Sequence, residues 1–453
     1  MHVLSEKRSS FTGKIGFVLA AAGSAVGLGN IWRFPYLAAQ HGGGIFLLVY
    51  ILLSVTFGFT VMVAEIAIGR KTQQSPIGAF KALDKRFTFI GVLGSVVPML
   101  ILPYYAVIGG WVTKYAAGFI VGQGSAMADN SYFGNFIGGV WEPMLWFLLF
   151  IGVTALIVLL GVQKGIEKVS KIMMPVLIAL MLFIVVYTFC TTDNVGKGIV
   201  YYLKPDFSKF TYMTVVAAMG QLFYSMSLAM GIMITFGSYM KKDVSIEASA
   251  HQIELFDTGI AFLAGLMIVP ACVAYDPTQL TKGPGLMFGV LPKVFENMVG
   301  GGFIGAVFFL MVLLAALTSS ISLMETVVST IQDKWKLERK LACLAVLGIS
   351  LVLGVLSCLG YSLWAEFKIF GRLQILDFFD FMTNSVMMPI IALATCIFVS
   401  YFMKPKVIIE EISASGKFRF RTMFSVIIKY VAPVCLLMIL VFAVLETFEV
   451  IKP

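Results

Sequence analysis

The chain has 453 residues, 59% of them apolar and only 13% charged, with a mean hydropathy of +0.94, where a soluble domain carries about 25% charged residues. That balance excludes a water-soluble globule. The formal charge of +9 acquires a meaning only once its position along the chain is known.

Apolar runs long enough to cross a hydrocarbon core of roughly 30 Å fall at 15–40, 43–69, 88–120, 140–161, 169–190, 211–239, 243–274, 297–332, 341–360, 373–403 and 422–447, eleven in all. One all-α polytopic membrane domain over 1–453 is expected. The lightly basic segment before the first run has no small-residue cleavage site after it, so it reads as retained rather than as a signal peptide. An odd number of crossings puts the two termini on opposite sides. Of the 33 Lys and Arg, 22 lie in the N-terminal segment and the even-numbered loops, 8 on the opposite side and 3 within spans. Basic groups in short loops stay cytoplasmic, so the expected N-terminus is cytoplasmic and the C-terminus outside, in a cell or plasma membrane. The charge excess is a topology signal and gives no case for nucleic acid.

Span 1 crowds Gly23, Gly27, Gly29 and Asn30 at mid-depth, with Pro35 soon after. Each Gly costs a helix interior roughly 0.8–1 kcal/mol relative to Ala, so the span is poised to unwind, although small residues also serve close helix packing. Span 6 repeats the disturbance at Gly220, Gln221, Ser225, Ser227 and Gly231. Paired interrupted helices in two halves point to a transporter with a midplane site. Free amides at such breaks receive a carboxylate, and carbonyls and hydroxyls replace the water around a hard cation such as Na⁺. Span 7 holds Asp257, a carboxylate at a depth where an unpaired charge is costly. Span 8 adds the adjacent hydroxyls Thr318, Ser319 and Ser320; Glu65, Glu325 and the pair Arg33 and Asp380 complete the intramembrane charges of interest. The few histidines and scattered cysteines suggest no transition-metal site. No Gly-rich phosphate loop, GxSxG elbow or HExxH motif appears, which disfavours an enzyme.

These residues carry a resemblance. AAAGSAVGLGNIWRFP, GGGIFLLVY, AEIAIGR, MGQLFYSMSLAMG, LTSSISLM and LDFFDF, in this order, are similar to the signature helices of the neurotransmitter:sodium symporter family, and eleven spans resemble its bacterial amino-acid branch, with its tyrosine and multi-hydrophobic-amino-acid carriers. The resemblance implies a fold of two inverted five-helix repeats, 15–190 and 211–403, with discontinuous helices 1 and 6 and an additional helix at 422–447. It also implies two sodium sites. One takes the Ala25 carbonyl, Asn30, Ser225 and Asp257, completed by the substrate carboxylate; the other takes the carbonyls of Gly23, Val26 and Ala315 with the hydroxyls of Thr318 and Ser319.

The resemblance further implies that Leu28, Gly29 and Tyr105 receive the substrate carboxylate, that carbonyls around Tyr224, Ser225 and Ser227 receive its ammonium, and that Ala25 also borders the substrate. Ile101, Tyr105, Tyr224, Ser227, Met230, Ser320 and Leu323 would line the side-chain pocket. Arg33 and Asp380 resemble an outer gate above the lid of Tyr105 and Tyr224, and Arg8 with Asp333 an inner one, helped by Phe11 and Tyr239. Two departures stand out. Asp257 occupies a position where many relatives have Asn, and of a chloride-binding set only Tyr50, Gln221 and Ser225 are present, with Ala261 near the place of a span-7 Ser. Asp257 is therefore expected to replace chloride. Ala229 stands where relatives often have Gly, implying a shorter unwound stretch and a tighter pocket. The expected function is sodium-coupled import of hydrophobic or aromatic L-amino acids by alternating access, with an amino-acid-responsive channel or sensor as the alternative.

Overall fold

The computed structural model describes residues 9–191, 195–275 and 284–447. Among them nine helices are long and apolar enough to cross a membrane: Gly44–Thr72 (span 2), Lys85–Ile120 (3), Trp141–Leu159 (4), Val162–Thr191 (5), Ile246–Cys272 (7), Gly301–Trp335 (8), Arg339–Leu359 (9), Ile375–Phe402 (10) and Arg421–Leu445 (11). A tenth crossing is the pair Lys14–Ala25 and Gly29–Gln40, bent by 55° (span 1). The remaining expected span is Tyr212–Ser225 and Ile232–Ser238 (span 6), each half too short to cross alone. No strand forms among the described residues.

Burial separates the centre from the rim. In span 8, 72% of the most apolar window is buried inside the protein, against 28% in span 11; the remaining apolar surface of the rim suits lipid. Spans 3 and 8 are the longest helices and lie along each other over more of their length than any other pair. At 1.5 Å per residue, the 35 residues of span 8 reach about 50 Å, well beyond the hydrocarbon thickness. Spans 1 and 6 pass beside this pair.

Both of those spans break where the sequence crowds small and polar residues. Span 1 stops being helical at Val26, which is extended (φ −73°, ψ 104°), and resumes as a π-turn at Gly29–Arg33. Span 6 is non-helical from Met226 to Gly231. Its first half is started by Thr211 and Thr214, whose hydroxyls cap each other's amides at 3.3 and 3.2 Å. Ala229 lies in the middle of this stretch. Ala229 takes φ 60° between Ser227 at 53° and Gly231 at 68°, so three left-handed residues fall within five, two of them with a β-carbon that resists it.

The inner half of span 6 lies against span 2 backbone to backbone. A β-carbon on Gly69 would sit 1.9 Å from the Ile234 carbonyl oxygen, and one on Gly237 2.5 Å from that of Ile66. On the basic face, Arg70 of span 2 is fully buried. Its guanidinium donates to Glu411 Oε1 at 2.8 Å, to the Val244 carbonyl at 2.8 Å and to Ser415 Oγ at 2.9 Å. The short helix Pro405–Ser413 is thereby fastened to span 2. Hydropathy gives no sign of this helix, nor of Val195–Leu203, because short amphipathic segments outside the membrane are averaged away in long windows.

Candidate functional site

The two breaks and the facing sides of spans 3 and 8 line a partly open cavity. Ten expected residues line it: Ala25, Leu28, Gly29, Ile101, Tyr105, Tyr224, Ser225, Ser227, Met230 and Leu323. Ser24, Gly27, Asn30, Ile232 and Ser319 line it too. Ser320 does not. Its hydroxyl turns to Thr154 of span 4, 3.1 Å away, because consecutive residues on a helix point about 100° apart and Ser319 takes the cavity side. Ser24, Gly27 and Ile232 are lining residues that the sequence does not single out as such, though Ser24 lies in the last turn of the helix just before the break of span 1 and Gly27 lies within it.

At one end of the cavity Asp257, Asn30 and Ser225 converge, all of them buried. Asn30 Nδ2 donates to Asp257 Oδ1 at 2.7 Å and to Ser225 Oγ at 2.8 Å, and Ser225 Oγ donates to the same carboxylate oxygen at 2.7 Å. Tyr50 OH donates to Asp257 Oδ2 at 3.3 Å. Asn30 Oδ1 accepts from Gly27 N at 3.0 Å, which ties the cluster to the broken backbone of span 1. Gln221 Nε2 reaches the Gly29 carbonyl at 3.0 Å. Every donor to the carboxylate is a neutral amide or hydroxyl. A buried anion supported only in this way attracts a cation.

A second convergence lies between spans 1 and 8. Ser319 Oγ is 3.4 Å from the Gly23 carbonyl oxygen and 3.1 Å from those of Ser24 and Val26. A hydroxyl has one proton for three acceptors, so lone pairs point at a common place that a hard cation suits. Thr318 Oγ1 accompanies it, donating to the carbonyls of Leu314 at 3.1 Å and Ala315 at 3.0 Å. Thr318 approaches span 1 closely because position 23 is Gly, where a β-carbon would lie 3.2 Å from the threonine Cβ. No cluster of three or more His, Cys, Asp or Glu is present among the described residues. The second donor set consists of oxygens, and so does the first except for Asn30, which turns its amide nitrogen to Asp257 and Ser225 and its oxygen to Gly27; oxygens suit alkali cations rather than zinc or copper.

The rest of the wall divides by chemistry. Leu28 N donates to Tyr105 OH at 3.4 Å, and Ser227 Oγ donates to the Ser24 carbonyl at 3.0 Å. Ile101, Met230, Ile232 and Leu323 supply apolar surface. Beside Met230, the Ala229 amide donates to Glu65 Oε1 at 2.9 Å, so a buried carboxylate of span 2 holds the middle of the span 6 break.

Above the cavity, Tyr224 packs over Gly29, where a β-carbon would stand 2.5 Å from the ring. The Arg33 guanidinium lies over the other part of this lid, 5.2 Å from the Tyr224 ring centre. The expected partner Asp380 is held by Tyr104 OH at 3.2 Å and Asn384 Nδ2 at 2.6 Å. Toward the basic face the path is closed by Phe11, which is buried, donates its amide to the Tyr239 carbonyl at 3.1 Å and sits edge-on to Phe17, Phe236 and Tyr239. Tyr239 OH in turn donates to Glu325 at 2.8 Å, and Arg339 pairs with the same carboxylate. Asp333 accepts from Ser75 N at 2.7 Å; Arg8, its expected partner, lies outside the described residues.

Comparison with known proteins gives the following. The model of the sodium:neurotransmitter symporter family matches residues 8–123 and 135–451. A protein of Bacillus subtilis described as an uncharacterized sodium-dependent transporter is 35% identical over 443 residues, covering 96% of this chain and 97% of the relative. The sodium- and chloride-dependent glycine transporter 1 of Xenopus laevis is 26% identical over 509 residues, covering 97% of this chain and 78% of the relative. Among solved structures, the crystal structure of MhsT in complex with L-phenylalanine superimposes with a TM-score of 0.87 at 34% identity, covering 96% of this chain and all of that one.

Proposed function

This chain belongs to the sodium:neurotransmitter symporter family, and we propose that it imports hydrophobic or aromatic L-amino acids with Na⁺ by alternating access, without a requirement for chloride. The observation that carries the reading is an apolar-walled cavity opening onto a buried carboxylate whose donors are all neutral amides and hydroxyls. In this reading the substrate carboxylate takes the amides of Leu28 and Gly29 and the hydroxyl of Tyr105, while the carbonyls near Ala25, Tyr224, Ser225 and Ser227 take the ammonium. Ile101, Met230, Ile232 and Leu323 receive the side chain. A charged side chain would meet no counter-ion there and pay its desolvation uncompensated. The relative solved with L-phenylalanine supports an aromatic occupant.

One Na⁺ sits among Ala25, Asn30, Ser225 and Asp257 and touches the substrate carboxylate, so the two bind as a unit. A second sits among Gly23, Val26, Ala315, Thr318 and Ser319 and fastens span 1 to span 8. Asp257 supplies as a fixed charge what chloride supplies in chloride-dependent relatives; its bond from Tyr50 supports this, since Tyr50 belongs to the chloride set by resemblance. The basic face is cytoplasmic, and the spans form two inverted repeats with span 11 outside them. A membrane potential adds about 2.3 kcal/mol per charge per 100 mV, enough for one ion to concentrate substrate strongly. The test is accumulation of labelled L-phenylalanine in proteoliposomes under a Na⁺ gradient, with competition by all twenty amino acids. Equilibration without accumulation refutes symport, and collapse of uptake in gluconate refutes chloride independence.

A further inference from the structure

Span 3 has two tyrosines in succession, and consecutive positions on a helix face different neighbours. Tyr105 turns to Leu28 and the cavity. Tyr104 is just as buried but turns to span 10, where its hydroxyl donates to Asp380 Oδ1 at 3.2 Å and accepts from Asn384 Nδ2 at 3.2 Å. The same amide donates to Asp380 Oδ1 at 2.6 Å. Tyr104, Asn384 and Asp380 therefore close a three-membered ring of hydrogen bonds in which one carboxylate oxygen takes two neutral donors.

Span 10 is shaped around this ring. It leaves regular α-helical winding immediately after Asp380, in the π-turns Phe381–Met387, and such turns gather at functional sites. Thr383 Oγ1 accepts the role of satisfying the wider turn, donating to the carbonyls of Phe379 at 2.8 Å and Asp380 at 3.2 Å. Asp380 itself is exposed at the rim. A solvent-facing carboxylate ordinarily samples several rotamers, each lone pair met by water. Two protein donors on one oxygen hold it in a single orientation, and both come from residues that touch neither cavity nor ion site.

We propose that Tyr104 and Asn384 are positioning residues that fix the Asp380 carboxylate beside the Arg33–Tyr224 stack and thereby set how long the lid over the cavity stays closed. Because Tyr104 and Tyr105 share one turn of span 3, the wall that meets the substrate and the support of the lid move as one piece. The inference rests on the transport reading only for what the lid retains.

The experiment uses the full chain, purified, with its native cysteines replaced by alanine and Ile101→Cys placed beneath Tyr224. Its rate of alkylation by a membrane-impermeant thiol reagent in Na⁺ buffer reports lid opening without any substrate. Tyr104→Phe and Asn384→Leu are each expected to accelerate alkylation about tenfold, which corresponds to ~1.4 kcal/mol, at the lower edge of what a hydrogen bond to a charged group contributes. Asp380→Asn should do the same, and adding Tyr104→Phe to it should change nothing further, because the residue acts through that carboxylate. A role confined to folding would instead add in full. Unaltered alkylation in both single variants, or full additivity in the double variant, overturns the proposal. Preloaded, labelled L-phenylalanine should leave the two single variants about tenfold faster than the parent. If the parent binds no phenylalanine yet shows the alkylation pattern, the substrate assignment fails and the lid assignment stands.

Discussion

Replacing Asp257 by asparagine removes one charge from the interior and leaves the shape of the side chain almost intact. This carboxylate is buried and receives only neutral donors, Asn30, Ser225 and Tyr50. An ion held beside Asp257 would lie roughly 4 Å from the carboxylate or closer, where two unit charges attract by about 4 kcal/mol at an effective dielectric of about 20. Losing that attraction weakens sodium binding at this site by roughly a thousandfold. The same substitution has the opposite sign without sodium, since it relieves the burial of an uncompensated charge. Thermal unfolding in choline and in sodium salts separates the two effects. The parent should gain stability steadily with Na⁺, as expected for a ligand that binds only the folded state. The Asp257→Asn protein should start higher in choline and respond to Na⁺ far more weakly, through the second site alone. A sodium response with the same midpoint and amplitude in both proteins would refute the placement of a cation beside Asp257.

Three further outcomes follow from the geometry. Ser319→Ala removes the hydroxyl that meets three carbonyls of span 1 and should raise the Na⁺ concentration for half-maximal uptake about tenfold, the effect of one lost polar ligand; unchanged sodium dependence would remove Ser319 from the ion site. Tyr105→Phe should weaken amino-acid binding about tenfold through the loss of a charge-assisted hydrogen bond, measured by competition with labelled phenylalanine. Ala229→Gly should leave the unfolding temperature unchanged or raised: relief of a left-handed alanine, roughly 1–2 kcal/mol, offsets the 0.5–1 kcal/mol that glycine costs in chain entropy. A marked drop in unfolding temperature would show that the alanine methyl contributes packing that outweighs its backbone strain.

The membrane architecture is legible because hydrocarbon imposes one requirement on every crossing, and hydropathy reads that requirement directly. Span 3 is helical over Thr88–Ile120, the same limits that apolarity alone marks. The two breaks are legible from their glycines, since few other residues make an interrupted helix tolerable at that depth. Helix rotation is not legible. Thr318, Ser319 and Ser320 are equivalent as letters, and only the packing of span 8 decides that Ser319 faces the carbonyls of span 1 while Ser320 bonds to Thr154. The surroundings of Asp257 depend on contacts across more than 200 residues of sequence, which no local pattern encodes. The conformation of Ala229 is likewise not legible: its preference against positive φ is overridden by the segment it belongs to, with the Glu65 carboxylate holding its amide.

The glycine contacts between span 2 and the inner half of span 6 have a mechanical consequence. Where two backbones touch with no side chains between them, they cannot part without losing the contact, so span 2 and Ile232–Ser238 are held together. The other half of span 6 also meets span 2, at Gly58, where a β-carbon would stand 3.0 Å from Leu222 Cδ2. Between the two anchored halves lies Met226–Gly231, six residues of which Ser227 and Met230 face the cavity. The joint and the measuring surface are one segment. A side chain too large or too small for the space beside Met230 alters the set of the joint itself, so selectivity and the freedom to change conformation are read by the same few residues.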